Sequence, residues 1–192
     1  MNHRDIFNAI YSNNLWGHGS GSGSLAENTV AYRHYLHNFI RTNQIRSVVD
    51  IGCGDWQFSK LIDWQGIRYI GIDVSDVVLS NTQSFARDGV SFLHADALTE
   101  TLPTADLLIM KDVMQHWSND DILTFLPRLA NFQQALITNG FHPSLSHLIN
   151  SDISAGSLRP VDLRMSPFNL PGNYINWLKC DEPKWIFHWR RP

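Results

Sequence analysis

Val48-Val49-Asp50-Ile51-Gly52-Cys53-Gly54-Asp55 is an apolar run that ends in a Gly-x-Gly turn. The run has the makings of a buried strand, and the two glycines permit a tight turn at which backbone amides approach a ligand closely. Nineteen residues past Gly54, a second apolar run, Tyr69-Ile70-Gly71-Ile72-Asp73, ends in a carboxylate. A carboxylate at that spacing can accept both hydrogen bonds of a ribose diol, so the pair points to a nucleoside ligand. His94-Ala95-Asp96-Ala97 closes a third run with an acidic and a small residue, suited to an adenine amino group and ring face. Met110-Lys111-Asp112-Val113 closes a fourth. All four segments fall at the carboxyl ends of expected parallel strands, where open α/β sheets bind their ligands.

The flanking pattern supports that sheet. Strand and helix signals alternate over residues 47–51, 56–62, 68–72, 76–85, 90–94 and 107–110. A helix follows at 120–129, which Pro127 ends or kinks, and then a strand at 135–138. Such alternation is the mark of right-handed βαβ units. Before it stand a short helix at 5–11, a glycine- and serine-rich loop at 13–24, and a helical stripe of Val30, Tyr32, Leu36, Phe39 and Ile40. After Gly140 comes an irregular segment, 142–172, then two β-rich runs, 174–178 and 184–189, joined by Cys180-Asp181-Glu182-Pro183. These runs form an antiparallel hairpin in which Trp177, Trp185 and Trp189 pack. The expectation is one α/β domain over residues 1–192: a Rossmann-like, doubly wound, seven-stranded mixed sheet. Five or six strands run parallel and one antiparallel, with helices on both faces. Residues 1–44 form a helical lid and 45–192 the catalytic core.

Composition narrows the function. Of 192 residues 43% are hydrophobic, with seven Trp and ten Phe, enough to bury a core without metals or disulfides. A formal charge of −3 provides no basic field for a phosphate backbone, so no nucleic-acid partner is expected. Cys53 and Cys180 are too few for a disulfide scaffold, which fits a reducing cytoplasm. The N-terminal residues show no apolar signal region and no apolar run reaches the roughly 18 residues that span a bilayer, so no membrane span is expected. The histidines and cysteines lack metal-ligand spacing, so no metal is expected.

Which nucleoside is bound turns on one position. Dinucleotide sites place a third glycine where this chain has Gln57, which disfavours NAD. The order Asp50-x-Gly52-x-Gly54, with Asp73, Asp96-Ala97 and the closing hairpin, resembles class I methyltransferases. That resemblance implies S-adenosyl-L-methionine as cofactor and S-adenosyl-L-homocysteine as product. It implies contacts of Gly52 and Gly54 to the methionine moiety, Asp73 to the ribose, Asp96 and Ala97 to adenine, and Lys111 and Asp112 on the floor. Asp50, Cys53, Asp55 and Val74 belong to the same implied set. Trp16-Gly17-His18-Gly19-Ser20-Gly21-Ser22-Gly23-Ser24 and Ser166-Pro167-Phe168-Asn169-Leu170-Pro171 resemble segments of a little-characterised bacterial class I group. On that reading Trp16, Ser20 and Ser24 reach the cofactor and the loop is a lid; a plain Gly/Ser linker is the alternative.

His116, just past the fourth strand, is the expected base that removes a proton from a substrate hydroxyl or amine, with Asp112 second. A structural histidine and a helix-capping aspartate are the competing readings. Arg159, Arg164 and Asn169 are candidates to clamp a substrate, sugar-like or anionic. The expected reaction is methyl transfer to oxygen or nitrogen of a small molecule, with a protein side chain as another acceptor. Two other classes stand beside it: a non-catalytic nucleoside-binding module and a nicotinamide-dependent oxidoreductase.

Overall fold

The computed structural model describes residues 2–141, 143–179 and 183–192, the side chains of Trp177 and Lys179 excepted. Its strands are β1 (Ser47–Ile51), β2 (Arg68–Asp73), β3 (Val90–His94), β4 (Ala105–Lys111), β5 (Phe132–Gly140), β6 (Asn173–Lys179) and β7 (Pro183–Arg190). They form one sheet in the order β3-β2-β1-β4-β5-β7-β6. β1 to β5 pair in parallel, while β7 is antiparallel to both its neighbours. Six strands therefore run one way and one against them, the Rossmann-like mixed sheet that the sequence implied. Strand order reverses on either side of β1, which opens a crevice at its carboxyl end.

Strand alternation divides the core into two layers. Val49, Ile51, Leu108, Met110, Ala135 and Ile137 face one side, and Val48, Leu107, Ile109 and Leu136 the other. The first layer is covered by helices α1 (His3–Ser12) and α4 (Asn119–Phe125), the second by α2 (Val30–Thr42). Tyr32, Leu36 and Ile40 of α2 are buried, but Val30, expected in the same stripe, is 44% exposed. Helix α3 (Asp76–Thr82) follows β2 and is capped by the Ser75 hydroxyl. Ser118 and Asp121 form a reciprocal capping box on α4, which ends before Pro127 and continues as a 3-10 turn over Leu126–Asn131.

The helix expected at 56–62 does not form. Trp56 sits at φ +60°, and only a single 3-10 turn, Ser59–Leu61, follows. The Trp56 ring is buried against Tyr69, Phe85 and Phe92, and the left-handed backbone that places it there cannot continue an α-helix. In the closing hairpin Trp189 is buried, and Trp185 lies edge-on to Tyr174 and Phe141. The expected turn over 180–182 and the packing of Trp177 lie outside the described residues. Among the described residues no helix is long and apolar enough to cross a membrane.

Arg159 ties the irregular segment before β6 to the carboxyl end of β4. It is 1% exposed, and its guanidinium donates to the carbonyls of Met114 (2.6 Å) and Ser151 (3.2 Å) and to Asn119 Oδ1 (3.0 Å). Burial pushes its pKa down to about 10, still cationic at neutral pH. Arg159→Met is expected to strand these acceptors and lower stability by about 3 kcal/mol, read as a fall in the thermal midpoint. An unchanged midpoint would show that the segment is held by other contacts.

Candidate active site

A cavity of about 290 Å³ opens over the carboxyl ends of β1, β2 and β4. Gly52 and Asp73 form its floor at the strand switch, with Asp96 and Ala97 alongside from the loop after β3. Gly52 has φ +72°, and a Cβ there would collide with the side chain of Val113. The turn after β1 therefore depends on glycine at that position.

Asp73 is 6% exposed, and its two oxygens accept the backbone N–H of Gly54 (2.9 Å) and of Ser75 (2.9 Å). Burial pushes its pKa up to about 6, against the pull of the Ser75, Gly54 and Val74 amides. Each oxygen keeps lone pairs for a further donor. The carboxylate thus presents two acceptors side by side to the cavity.

The Gly/Ser segment, the expected lid, lines the cavity through Ser20, Gly21, Ser22, Gly23 and Ser24 and is fastened at two points. At one, Ser20 Oγ donates to Asp55 Oδ1 (2.8 Å) and accepts from the Asp55 N–H (3.1 Å). The Tyr11 hydroxyl lies 3.2 Å from the same Oγ and is its remaining donor. At the other, Lys111 Nζ donates to the Gly23 carbonyl (2.7 Å). Ser24 Oγ bonds back to the Ser20 carbonyl (3.3 Å), bracing the turn from within.

Asp112 sits between two ammonium groups, Lys111 (2.6 Å) and Lys184 of β7 (3.1 Å). Burial alone would raise its pKa, but the two lysines outweigh it and hold the carboxyl below the usual range. A carboxylate so held is a poor proton acceptor, which weighs against the expectation of Asp112 as second base. It is no helix cap either, since Ser118 caps α4.

His116 lines the cavity beneath the Trp16 ring, centroids 4.8 Å apart. Its Nδ1 lies 2.8 Å from the Ser157 carbonyl, which can only accept, so Nδ1 carries the proton. Nε2 is left with a lone pair, 3.4 Å from Gln115 Nε2. Gln115 Oε1 accepts the Gly140 N–H (2.7 Å), which turns its NH2 toward His116. Burial lowers the His116 pKa against the opposing pull of Ser157 and Asp112, so the ring is neutral at physiological pH.

Of the residues singled out from the sequence, Trp16, Ser20, Ser24, Gly52, Asp73, Val74, Asp96, Ala97, Lys111, Asp112 and His116 line this cavity. Seven do not. Asp50 points into the opposite layer, where it accepts from Tyr69 (2.6 Å) and Ser59 (3.3 Å). Cys53 is buried against Val78 and Leu79. Gly54 and Asp55 stand one step back, bracing Asp73 and the lid. Arg159 is consumed by its internal bonds, and Arg164 pairs with Asp162 (3.1 Å) and stacks on Tyr174. Asn169 lies exposed, at φ +45°, with its amide on the Pro167 carbonyl. Sequence reading missed His3, Phe7 and Tyr11 of α1, as well as Gln115, Leu158 and Lys184. The four-residue spacing of His3, Phe7 and Tyr11, which puts them on one face of α1, was the available signal for the first three; none marked Lys184.

A family model described as O-methyltransferase domain matches residues 4–142. Among solved structures, an N-methyltransferase from Bradyrhizobium japonicum WM9, crystallised with S-adenosylhomocysteine, is similar at 13% identity and TM-score 0.68, over 96% of this chain and 99% of that one. Magnesium protoporphyrin IX methyltransferase from Synechocystis PCC 6803, also with S-adenosylhomocysteine, is similar at 15% identity and TM-score 0.66, over 98% of each chain. Mitomycin 7-O-methyltransferase is similar at 14% identity and TM-score 0.64 over 85% of this chain, which spans about half of that enzyme, 54%. At these identities the likeness is one of fold.

Beneath the cavity, burial pushes the Asp50 carboxyl up to about 7, despite the Tyr69 and Ser59 hydrogen bonds. The folded chain therefore holds a proton that the unfolded chain releases near pH 4, and stability is lost as pH rises from about 4 to 7. Asp50→Asn removes that cost while keeping an acceptor for Tyr69. Its stability relative to the natural chain is expected to improve by a few kcal/mol between pH 4 and 8, measured by denaturant titration at each pH. A pH-independent difference would overturn the assignment.

Proposed function

The chain belongs to the O-methyltransferase domain family, and on that premise we propose that it transfers a methyl group from S-adenosylmethionine to oxygen or nitrogen of a small molecule. The observation that carries this reading is one cavity with the paired acceptors of Asp73 at one side and the Nε2 lone pair of His116 at another. The residues present fit the cofactor. Asp73 suits a ribose diol, Asp96 and Ala97 an adenine, and the missing Cβ of Gly52 leaves room where backbone must be approached.

S-adenosylmethionine, when bound, supplies a methyl group already activated on a sulfonium. What remains for the protein is to orient the acceptor, exclude water and take up one proton. The lid, fastened through Ser20–Asp55 and Lys111–Gly23, excludes water. His116 takes the acceptor's proton at Nε2, and the imidazolium so formed keeps its Nδ1–H on the Ser157 carbonyl. Lys111 and Lys184 keep Asp112 ionised, a fixed negative charge that favours this imidazolium. A cavity of about 290 Å³ that the cofactor also has to enter leaves little room, which favours a small acceptor. The arginine clamp that favoured a sugar is not among its walls.

Calorimetric titration with S-adenosylhomocysteine tests the cofactor: micromolar binding is expected, lost in Asp73→Ala, with no binding of NADH. Failure of the folded chain to bind would overturn the reading, and tight binding without turnover on any acceptor would favour a non-catalytic module.

His116→Ala is expected to slow methyl transfer by roughly 10²- to 10⁴-fold while leaving S-adenosylhomocysteine affinity intact. Because the base must be neutral, the natural enzyme loses rate as pH falls, at a pH below the ordinary histidine range. An unchanged rate or an absent acid limb would remove His116 from that role.

A further inference from the structure

Behind the wall of the main cavity lies a second, smaller cleft of about 120 Å³, between the end of β5, the segment before β6, and the hairpin. Its base holds Asn139, which is 6% exposed. The Asn139 carboxamide oxygen is buried without a hydrogen-bond partner among the described residues. An acceptor in that condition carries the full cost of its lost hydration, and a donor entering the cleft would recover it.

The walls restrict what that donor belongs to. Trp185 lies edge-on to Tyr174 (5.6 Å) and to Phe141 (6.3 Å), and Val161 adds an aliphatic surface. At the rim, Arg164 and Asp162 already neutralise each other at 3.1 Å, so neither presents an unmatched charge to an ion. Among the described lining residues the one buried polar side-chain atom left unsatisfied is therefore that acceptor, set against apolar rings. A sugar would bury several hydroxyls against the Trp185 and Tyr174 rings and Val161, which are poor partners for them. The space approaches the roughly 150 Å³ of apolar cavity that accommodates benzene.

We infer that this cleft is a second binding site, distinct from the methyl-transfer cavity, for an apolar ring bearing one O–H or N–H donor, which bonds Asn139. One hydrogen bond links the cleft to the main cavity. Gly140 lines the cleft, and its N–H holds Gln115, which lines the main cavity beside His116.

The test is an amide and indole NMR titration of the full chain with phenol, with toluene and methyl glucoside in parallel. Phenol is expected to shift the Gly140 amide and Trp185 indole signals saturably and to bind more tightly than either comparator. Asn139→Leu, close in volume, is expected to weaken phenol by roughly tenfold and leave toluene unchanged. Should that variant fail to fold, Trp185→Ala at the exposed rim is expected to weaken phenol and toluene alike. Equal binding of phenol and toluene, preference for the glucoside, no binding, or shifts confined to residues around Asp73 would overturn the proposal. None of these readouts depends on methyl-transfer activity.

Discussion

The architecture of the candidate site depends on one carboxylate shared between two loops. Asp73 ends β2, yet one of its oxygens is held by Gly54, in the turn after β1, and the other by Ser75, where α3 begins. That pair of bonds sets the mouth of the crevice between adjacent parallel strands. Other contacts build outward from it. The Ser75 hydroxyl donates to Asn8 of α1 (2.8 Å) while capping α3, so the N-terminal helix is registered against the same point. Asp55, next to Gly54, receives the lid through Ser20. Burial makes the carboxylate costly to ionise, and its two amide donors offset that cost without using up its lone pairs. The side chain proposed to accept from the cofactor is thus fixed by backbone donors.

A second knot holds the opposite end. Lys111 closes β4, Lys184 comes from the antiparallel β7, and Asp112 lies between them. Two cations against one anion leave an excess of positive charge, part of which the Gly23 carbonyl of the lid absorbs. Buried ion pairs contribute little net stability once desolvation is counted, but they are demanding in geometry. Here the demand joins the last strands of the sheet to the lid. The lid is therefore held at Ser20 by neutral and charged hydrogen bonds near β1 and at Gly23 by an ammonium group near β4.

Much of this was legible in the sequence, and for stated reasons. The Gly-x-Gly turn and the acidic strand ends were readable because backbone geometry and sheet topology fix both their spacing and their side. The same regularity, applied more strictly, excludes Asp50: strand residues alternate faces, and Asp50 lies between Val49 and Ile51, which share the face toward the cavity. The failed helix at 56–62 shows a local propensity overruled by one buried ring, Trp56. Arg159 was read as a surface clamp and Lys184 was passed over for a common reason. A charged residue reads as surface unless its partners are known, and those of Arg159 are mostly carbonyl groups, which carry no side-chain signature.

The choice between His116 and Asp112 as base rests on hydrogen-bond direction rather than on proximity. Only one arrangement of protons satisfies the chain from Gly140 to Ser157. Gly140 donates to Gln115 Oε1, which leaves the Gln115 NH2 facing His116, and Ser157 accepts from Nδ1. In that arrangement Nε2 is bare, and its resting contact at 3.4 Å is long for a hydrogen bond, so displacing it costs little. Asp112 is the reverse case. Both its oxygens already face ammonium groups, and protonating it would leave two lysines without their counter-charge. The group with the lower proton affinity is therefore the carboxylate, despite its position at the end of β4. Its fixed charge instead raises the affinity of the imidazole for a proton, against the desolvation that lowers it. In the proposed reaction those opposed influences would leave His116 neutral at the outset and stabilised on accepting the proton.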